Sequence, residues 1–458
     1  MKPLFHAFFI SLGLILFFSC KKTATTPLSA AKEIDSFSVR KADGSAFAAS
    51  DIQVVARNGS GADSIVVTIP AYTDKTKLTP FFVLKGKSVT PASGSTLDFS
   101  APVVFTVTAE DGSQLKYTVV LKCRGAVFFG TNDNRFFAVD AGTGNPVWKD
   151  SVPGMYETYV AGFEYNRPQL VNGLVYAASN SGTIFGFDPS TGTIKSQYKP
   201  GGPLATTPAM VNGTMYLGSD DHNFYAVDLA TGGTKWSFPT AFPTDSDPVV
   251  VNGTVYFGAD FLYALDSASG TLKWRYNLNG YATFGSPVVY NGMVYIGSLN
   301  DTLYALDAMT GSLRWRAKTD GQLDVSTPAI SNGVLYVGAE SGSLYAFDPA
   351  TGAQLWKSLT GASVYDQPFI YNNTLFETAD DGHLYAVNAQ TGAPLWNISQ
   401  FYANGGGAIV ANGVLYAGAG GSHYFYAVDP ASGNVLWRFP TGNNSLVLSR
   451  QALYIPGN

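Results

Sequence analysis

One frame, Ala-x-Asp-x-x-x-Gly-x-x-x-Trp, constrains this chain more than any other feature. It is complete at Ala138–Trp148, Ala226–Trp236, Ala264–Trp274, Ala305–Trp315, Ala346–Trp356 and Ala427–Trp437. Ala386–Trp396 keeps it with Asn388 for Asp, and Gly186–Ser196 keeps only Asp188 and Gly192. All seven tryptophans (Trp148, Trp236, Trp274, Trp315, Trp356, Trp396 and Trp437) occupy the same position of the frame. The Asp positions 140, 188, 228, 266, 307, 348, 388 and 429 put successive copies 38 to 48 residues apart. A period near forty with strand-like patterning predicts one four-stranded antiparallel blade per copy of a β-propeller.

The frame has a physical logic. An Asp followed by Thr-Gly or Ser-Gly closes a turn, its carboxylate accepting backbone N–H groups while Gly takes a positive φ. A Trp four residues later lies on the next strand, and a ring repeated at one position is expected to pack between blades, each burial contributing about 2–3 kcal/mol. The frame resembles the tryptophan-docking motif of the pyrroloquinoline-quinone-like (BamB-like) propeller repeat family, found in quinoprotein dehydrogenases and in an outer-membrane-assembly lipoprotein. The eight turn positions read as caps, not as metal ligands.

Charged residues are 13% of the chain and aromatics 14%, with 49 Gly, a turn-rich all-β composition. A net charge of −5 and no basic cluster beyond Lys21-Lys22 argue against nucleic acid as a partner. Cys20 and Cys123 alone make no disulfide framework, and four scattered His without Cys-x-x-Cys argue against a zinc site.

Residues 1–19 read as an export signal: Lys2, an apolar run from Leu4 to Phe18, then Ser19. Phe17-Phe18-Ser19-Cys20 resembles a bacterial lipobox, with Phe17 where Leu is usual, which makes Cys20 the candidate lipidation site. Lys21 resembles outer-membrane sorting, and no acidic surface-export run follows Cys20, so a periplasm-facing lipid anchor is expected. Residues 20–32 read as a flexible tether. Residues 33–122 alternate without Trp, with Ile65, Val67 and Ile69 on one face and Asp111-Gly112 turning the strand at Val103–Val107 into that at Leu115–Leu121. They resemble the Ig-like modules of Bacteroidota lipoproteins, and a small Ig-like β-sandwich acting as a stalk is expected.

Residues 124–458 are expected to form an eight-bladed propeller, with seven blades the alternative. In one repeat, strands are legible at Pro248–Val251, Thr254–Gly258, Leu262–Leu265 and Thr271–Asn277. The first blade lacks an inner strand of its own. Leu446–Ser449 is a candidate to supply it, while Leu453-Tyr454-Ile455 reads as a second strand competing with Val127–Phe129. Strand alternation puts the Asn-Gly and Asp turns at one end and the blade-to-blade loops at the other, where function is expected. Those loops carry Arg167, Asp247, Asp324, Tyr365 and Asp366, the candidate face for a partner or polar ligand, with Asp245/Asp247 and Asp324/Asp366 as possible carboxylate pairs. Exposed loop charges are expected to contribute little to the fold.

Quinoprotein chemistry, as the resemblance implies it, needs a pair of adjacent Cys and a Trp against the quinone. This sequence has no Cys pair, and its Trp are all used by the frame. The expectation is therefore a non-catalytic envelope lipoprotein, a monomer without cofactor or metal, docking an envelope protein or polar ligand at the propeller mouth. The alternative is a carbohydrate-binding protein or an enzyme using that mouth, least of all a quinone-dependent dehydrogenase.

Overall fold

The structure is a computed structural model that describes residues 33–48, 52–57, 63–131, 135–151, 167–179, 182–199, 201–204, 206–278, 285–323, 326–399, 401, 407–419, 423–442 and 452–457. Cys20 and the rest of 1–32 lie outside the described residues. Two compact units emerge: Met1–Ala126 with Asp140–Thr143 and Pro456–Asn458, and Val127–Val139 with Gly144–Ile455.

In the first unit, Glu33–Arg40 pairs with Thr79–Lys85 in a two-stranded sheet. A five-stranded sheet runs Gln53–Arg57, Asp63–Ile69, Gln114–Cys123, Val103–Thr108, Ser88–Thr90. Alternation puts Ile65, Val67, Ile69, Phe105, Val107 and Val119 into one apolar cluster with Phe37 and Phe99. The pairing of Asp63–Ile69 with Gln114–Cys123 is parallel. In the same unit Asp140 accepts from the Ala71 N–H at 2.8 Å and pairs with Arg124 Nε at 2.7 Å.

The second unit is a tandem array of four-stranded antiparallel sheets, eight among the described residues. Sheets two to eight take their strands in chain order, beginning at Gln169, Ala209, Val249, Val288, Ala329, Phe369 and Ala408. Sheet one differs. It orders Pro146–Ser151, Arg135–Asp140, Ala126–Gly130 and then Leu453–Ile455. Leu453–Ile455 thus does not compete with Val127–Phe129 but lies beside it as the fourth strand, while Leu446–Ser449 is outside the described residues.

Each sheet is tied to the next by one aromatic device. Asp228 Oδ1 accepts from the N–H groups of Ala230 and Thr231, both at 3.0 Å, and Gly232 N–H bonds the Asp228 carbonyl at 2.8 Å. Asn388 closes its turn the same way, through Oδ1 at 2.9 and 3.1 Å, which explains why Asn is tolerated there. The turn Gly has positive φ, 73° at Gly270 and 69° at Gly311. A Cβ there would also strike the ring of the preceding sheet, 2.6 Å from Trp236 at Gly270 and 2.6 Å from Trp274 at Gly311. The indole N–H of Trp236 then donates to Ser267 O at 3.1 Å, and that of Trp274 to Ala308 O at 3.0 Å. Tyr216 and Tyr256, on the second strands, donate their hydroxyls to those same two carbonyls at 3.0 and 2.9 Å. The rings are half-buried, Trp356 alone falling to 8% exposure, so each is a lid on a seam more than a core residue.

Sheet two lacks a Trp, yet its seam is made. Tyr198, two residues beyond Ser196, lies 3.0 Å from where a Gly232 Cβ would stand, and its hydroxyl donates to Leu229 O at 2.5 Å. That carbonyl follows the turn Asp, as Ser267 and Ala308 do. The first and last sheets also meet: Gly144 lies under the Trp437 ring, and Phe129 stacks on Phe425 with centroids 4.0 Å apart.

Gly292, in the Asn291-Gly292 turn, has the same kind of φ (75°) but no atom within 4 Å of its would-be Cβ. Gly292→Ala should therefore cost about 1 kcal/mol for backbone strain alone. Gly311→Ala should cost about 1–3 kcal/mol more, because Trp274 must also move. Denaturant melts of both variants, and of Gly311→Ala in a Trp274→Ala background where the excess should vanish, test the ring contact. Equal losses would show that it contributes nothing.

Candidate ligand groove and loop ties

In several loops the residue before the sheet-opening Pro reaches its neighbour. Arg167 N–H donates to Thr207 Oγ1 at 3.0 Å, Thr207 N–H to Asp247 Oδ1 at 2.6 Å, and Asp247 N–H to Ser286 Oγ at 2.9 Å. Further along, Gln367 Nε2 donates to Pro328 O at 3.0 Å. Arg167 Nη1 donates to Gln367 Oε1 at 2.7 Å, joining loops that open sheets two and seven. The residue one place earlier bonds inward: Ser246 and Ser326 accept from Gly258 and Gly338 N–H at 3.0 and 3.1 Å.

The structure therefore places Arg167 and Asp247 in a chain of ties between sheets, half-buried. Asp366 is 4% exposed, its Oδ2 accepting from Thr378 Oγ1 at 3.0 Å. They are not free loop charges: Asp247 and Asp366 accept from the Thr207 N–H and the Thr378 hydroxyl, and Arg167 donates to Gln367. Tyr365 is half-buried, and burial raises its hydroxyl above the usual range, with Asp380 and Glu340 adding to it. Asp324 lies outside the described residues.

Asp245 and Asp366 also have acidic neighbours other than those read in the sequence, and the Asp324/Asp366 pair falls, through Asp324, outside the described residues. Asp245 bonds the side chain of Asp220, whose carboxyl is raised by burial and by Asp221. Asp366 faces Glu377, a residue the repeat frame gave no reason to single out. Other loop acids are held by third-strand tyrosines: Tyr225 to Asp221 at 2.6 Å, Tyr345 to Asp320 at 2.6 Å and Tyr385 to Asp381 at 2.5 Å. Burial, with Asp221 as acceptor, pushes the Tyr225 hydroxyl up to about 12.

A groove of about 840 Å³ lies along the first strands of sheets five, six and seven. Val288, Tyr290, Ile330, Asn332, Gln367 and Phe369 contribute to its lining, and none of the described lining residues is charged. Each of these strands is an edge, paired on one side only within its sheet. The groove thus offers unpaired backbone and two aromatic rings, with the Gln367 amide held at its edge by Arg167 and Pro328 O. Among the described residues no group of three or more His, Cys, Asp or Glu is placed to hold a metal.

Tandem four-stranded sheets with aromatic seams define a propeller-type repeat protein. The chain belongs to the family described as outer membrane protein assembly factor BamB, whose model matches residues 132–279, 241–331 and 300–453. Residues 45–121 match the family described as SGBP, N-terminal. No curated protein matches the chain. Among solved structures, BamB from Moraxella catarrhalis is similar at 21% identity and TM-score 0.54, covering 61% of this chain and 89% of its own. The computationally designed Ika8 protein is similar at 17% identity and TM-score 0.55, covering 63% and 93%. Quinohemoprotein alcohol dehydrogenase ADHIIG from Pseudomonas putida HK5 follows at 16% identity and TM-score 0.53, covering 62% and 68%. At these identities the likeness speaks to fold alone, a fold shared by BamB and by quinone-dependent dehydrogenases.

Asp247→Ala should strand the Thr207 N–H and destabilise by about 1–3 kcal/mol, whereas Asp247→Asn keeps an acceptor oxygen and should cost less than about 1 kcal/mol. Chemical denaturation of both variants is the check. Equal effects would mean that the carboxylate, not the acceptor, matters.

Proposed function

We propose that this protein is a non-catalytic binding protein of the cell envelope, lipid-anchored at Cys20 in the outer membrane and facing the periplasm. Residues 1–19 are its signal peptide, 20–32 its tether, 33–122 an Ig-like sandwich and 124–458 an eight-bladed propeller that acts as a monomer. The meeting of Trp437 with Gly144, and of Phe425 with Phe129, supports closure at eight blades.

The observation that carries the binding reading is the groove. Among its described lining residues only the Tyr290 phenol is ionisable, so beyond that hydroxyl it offers recognition and not an acid, base or thiol for chemistry. The loop residues Arg167 and Asp247 are committed to ties between sheets and Asp366 to Thr378 of its own sheet, which moves the proposed contact surface from the loop tips to the inner strands beside Gln367. Family membership supports an envelope protein as the partner. A neutral carbohydrate is the second reading, favoured by Tyr290 and Phe369 beside the Gln367 amide. An enzyme using the mouth, a quinone-dependent dehydrogenase included, has only the shared fold behind it.

A photoreactive residue at Ile330 should cross-link a partner in intact cells, while one at Met309, on an exposed Asp turn, should not. Adducts at Met309 alone would move the site to the turn end, and soluble glycan competing at Ile330 would favour the second reading. Separately, Cys20→Ser should abolish fatty-acid labelling and release the protein from the membrane fraction. Labelling that survives would remove the anchor.

A further inference from the structure

The second strand of every sheet carries, just after its aromatic residue, a side chain buried in the seam with the preceding sheet. It is Phe129, Leu217, Phe257, Ile296 and Val337 in five sheets and Ala177 and Ala417 in two, each at most 2% exposed. Sheet seven alone has a carboxyl there, Glu377, and it is equally buried at 2%. Its neighbours on the same strand face, Leu375 and Ala379, pack with Tyr336, Leu344 and Trp356 of sheet six. Glu377 therefore stands in the apolar seam between sheets six and seven.

Its surroundings are adapted to it. Glu377 Oε2 has no hydrogen-bond partner among the described residues. The next residue is Thr378, where most sheets have Gly, and its hydroxyl is given to Asp366. Asp366 is itself buried and takes the place of Ser246 or Ser326 in other sheets. Two carboxyl groups are thus enclosed where other sheets put a hydrocarbon and, at Thr206, Ser246 and Ser326, a hydroxyl. Both cannot be ionised there cheaply, since Glu377, with no partner for Oε2, would then carry a buried charge beside a second carboxylate.

We infer that Glu377 and Asp366 form a buried proton-binding site in the seam between sheets six and seven, and that the seam loosens when the proton leaves. Burial first, then the Asp366 charge, hold the Glu377 carboxyl well above the usual carboxylate range. Two tyrosines beside it do not exchange protons near neutrality. Tyr385, opposite Glu377 in the strand register, has its hydroxyl committed to Asp381 and raised. Tyr336, from sheet six, is raised by burial alone. Because the folded-state value lies above the unfolded one, this site's contribution to stability is full below the unfolded carboxylate range. It is lost as pH rises through the folded value. The seam matters beyond its own energy, since sheets six and seven supply two of the three strands of the groove.

Thermal melts of the full chain between pH 5 and pH 9 test this, comparing the protein with Glu377→Gln and Glu377→Leu. The wild-type Tm should fall relative to both variants as pH rises, opening a gap of about 3–6 °C at pH 8. Asp220, Glu340 and Asp380 are also raised, but they are common to all three proteins and cancel in the difference. If Glu377→Leu fails to fold, infrared spectra at pH 7 decide. The wild type should show a protonated-carboxyl carbonyl band that Glu377→Gln lacks. A pH-independent gap, no such band, or a wild-type Tm raised at pH 8 by sodium or calcium but not in Glu377→Gln would overturn the proposal, the last by making the site one for a metal cation.

Discussion

The repeat unit depends on one carbonyl oxygen per sheet, that of the residue after the turn Asp. At Ser267 and Ala308 this oxygen receives an indole N–H and a phenol O–H from the preceding sheet, so both lone pairs are used across the seam. The donors reach it only if the ring lies flat on the turn, and the ring lies flat only if the turn residue beneath it has no Cβ. The Asp orients the turn so that this glycine and this carbonyl face the incoming ring. Asp, Gly, Trp and the second-strand Tyr are therefore four parts of a single contact, which is why they recur together at a fixed spacing.

That interdependence made the second unit legible. A residue whose role is set by a local turn and one repeating neighbour leaves a period in the chain, and Trp236, Trp274 and Trp315 could be read from spacing alone. Tyr198 shows the limit. It restores the seam of sheet two from a position two residues later in the strand, on the same face, so a search for the frame sees only the missing Trp at Ser196. Leu453–Ile455 escaped for a different reason: its partner is more than three hundred residues away, and three residues of strand carry no register signal. The parallel pairing of Asp63–Ile69 with Gln114–Cys123 was hidden in the same way, because alternation reports which face is buried and not which strand lies alongside.

For the candidate site the sequence revealed position but not commitment. Arg167 and Asp247 do stand in the loops between sheets, and strand direction was sufficient to place them there. Whether their polar atoms face solvent or a neighbour's N–H depends on how sheets sit against each other, which no local pattern encodes. Glu377 was overlooked because its exception shows only once the repeats are aligned on their second strands, where Glu replaces a hydrocarbon that is never polar elsewhere.

The outer strands carry a second variation with a clear physical basis. The residue before each Trp is bulged out of the ladder, as Arg314 is between the pairs Ala305–Trp315 and Leu306–Leu313. In sheets three to five it is Lys235, Lys273 or Arg314, each reaching the turn Asp of its own sheet at 3.2, 3.4 and 2.6 Å. Arg314 foremost, with the turn's hydrogen bonds, holds the Asp307 carboxyl down to about 2. In sheets six to eight the bulged residue is Leu355, Leu395 or Leu436, about half exposed. Such exposed ion pairs contribute little energy, so exchanging them for leucine leaves the seam intact. The inner strands have less freedom. The turn carbonyl, the ring and the loop ties do not use the side chains of Val288–Tyr290 or Phe369–Tyr371, but Val288 and Tyr290 pack against the apolar cluster of sheets five and six, and Phe369 and Tyr371 against that of sheets seven and eight. A groove along these strands is therefore built from side chains that also close the seams, so its shape and the fit of the sheets are set together.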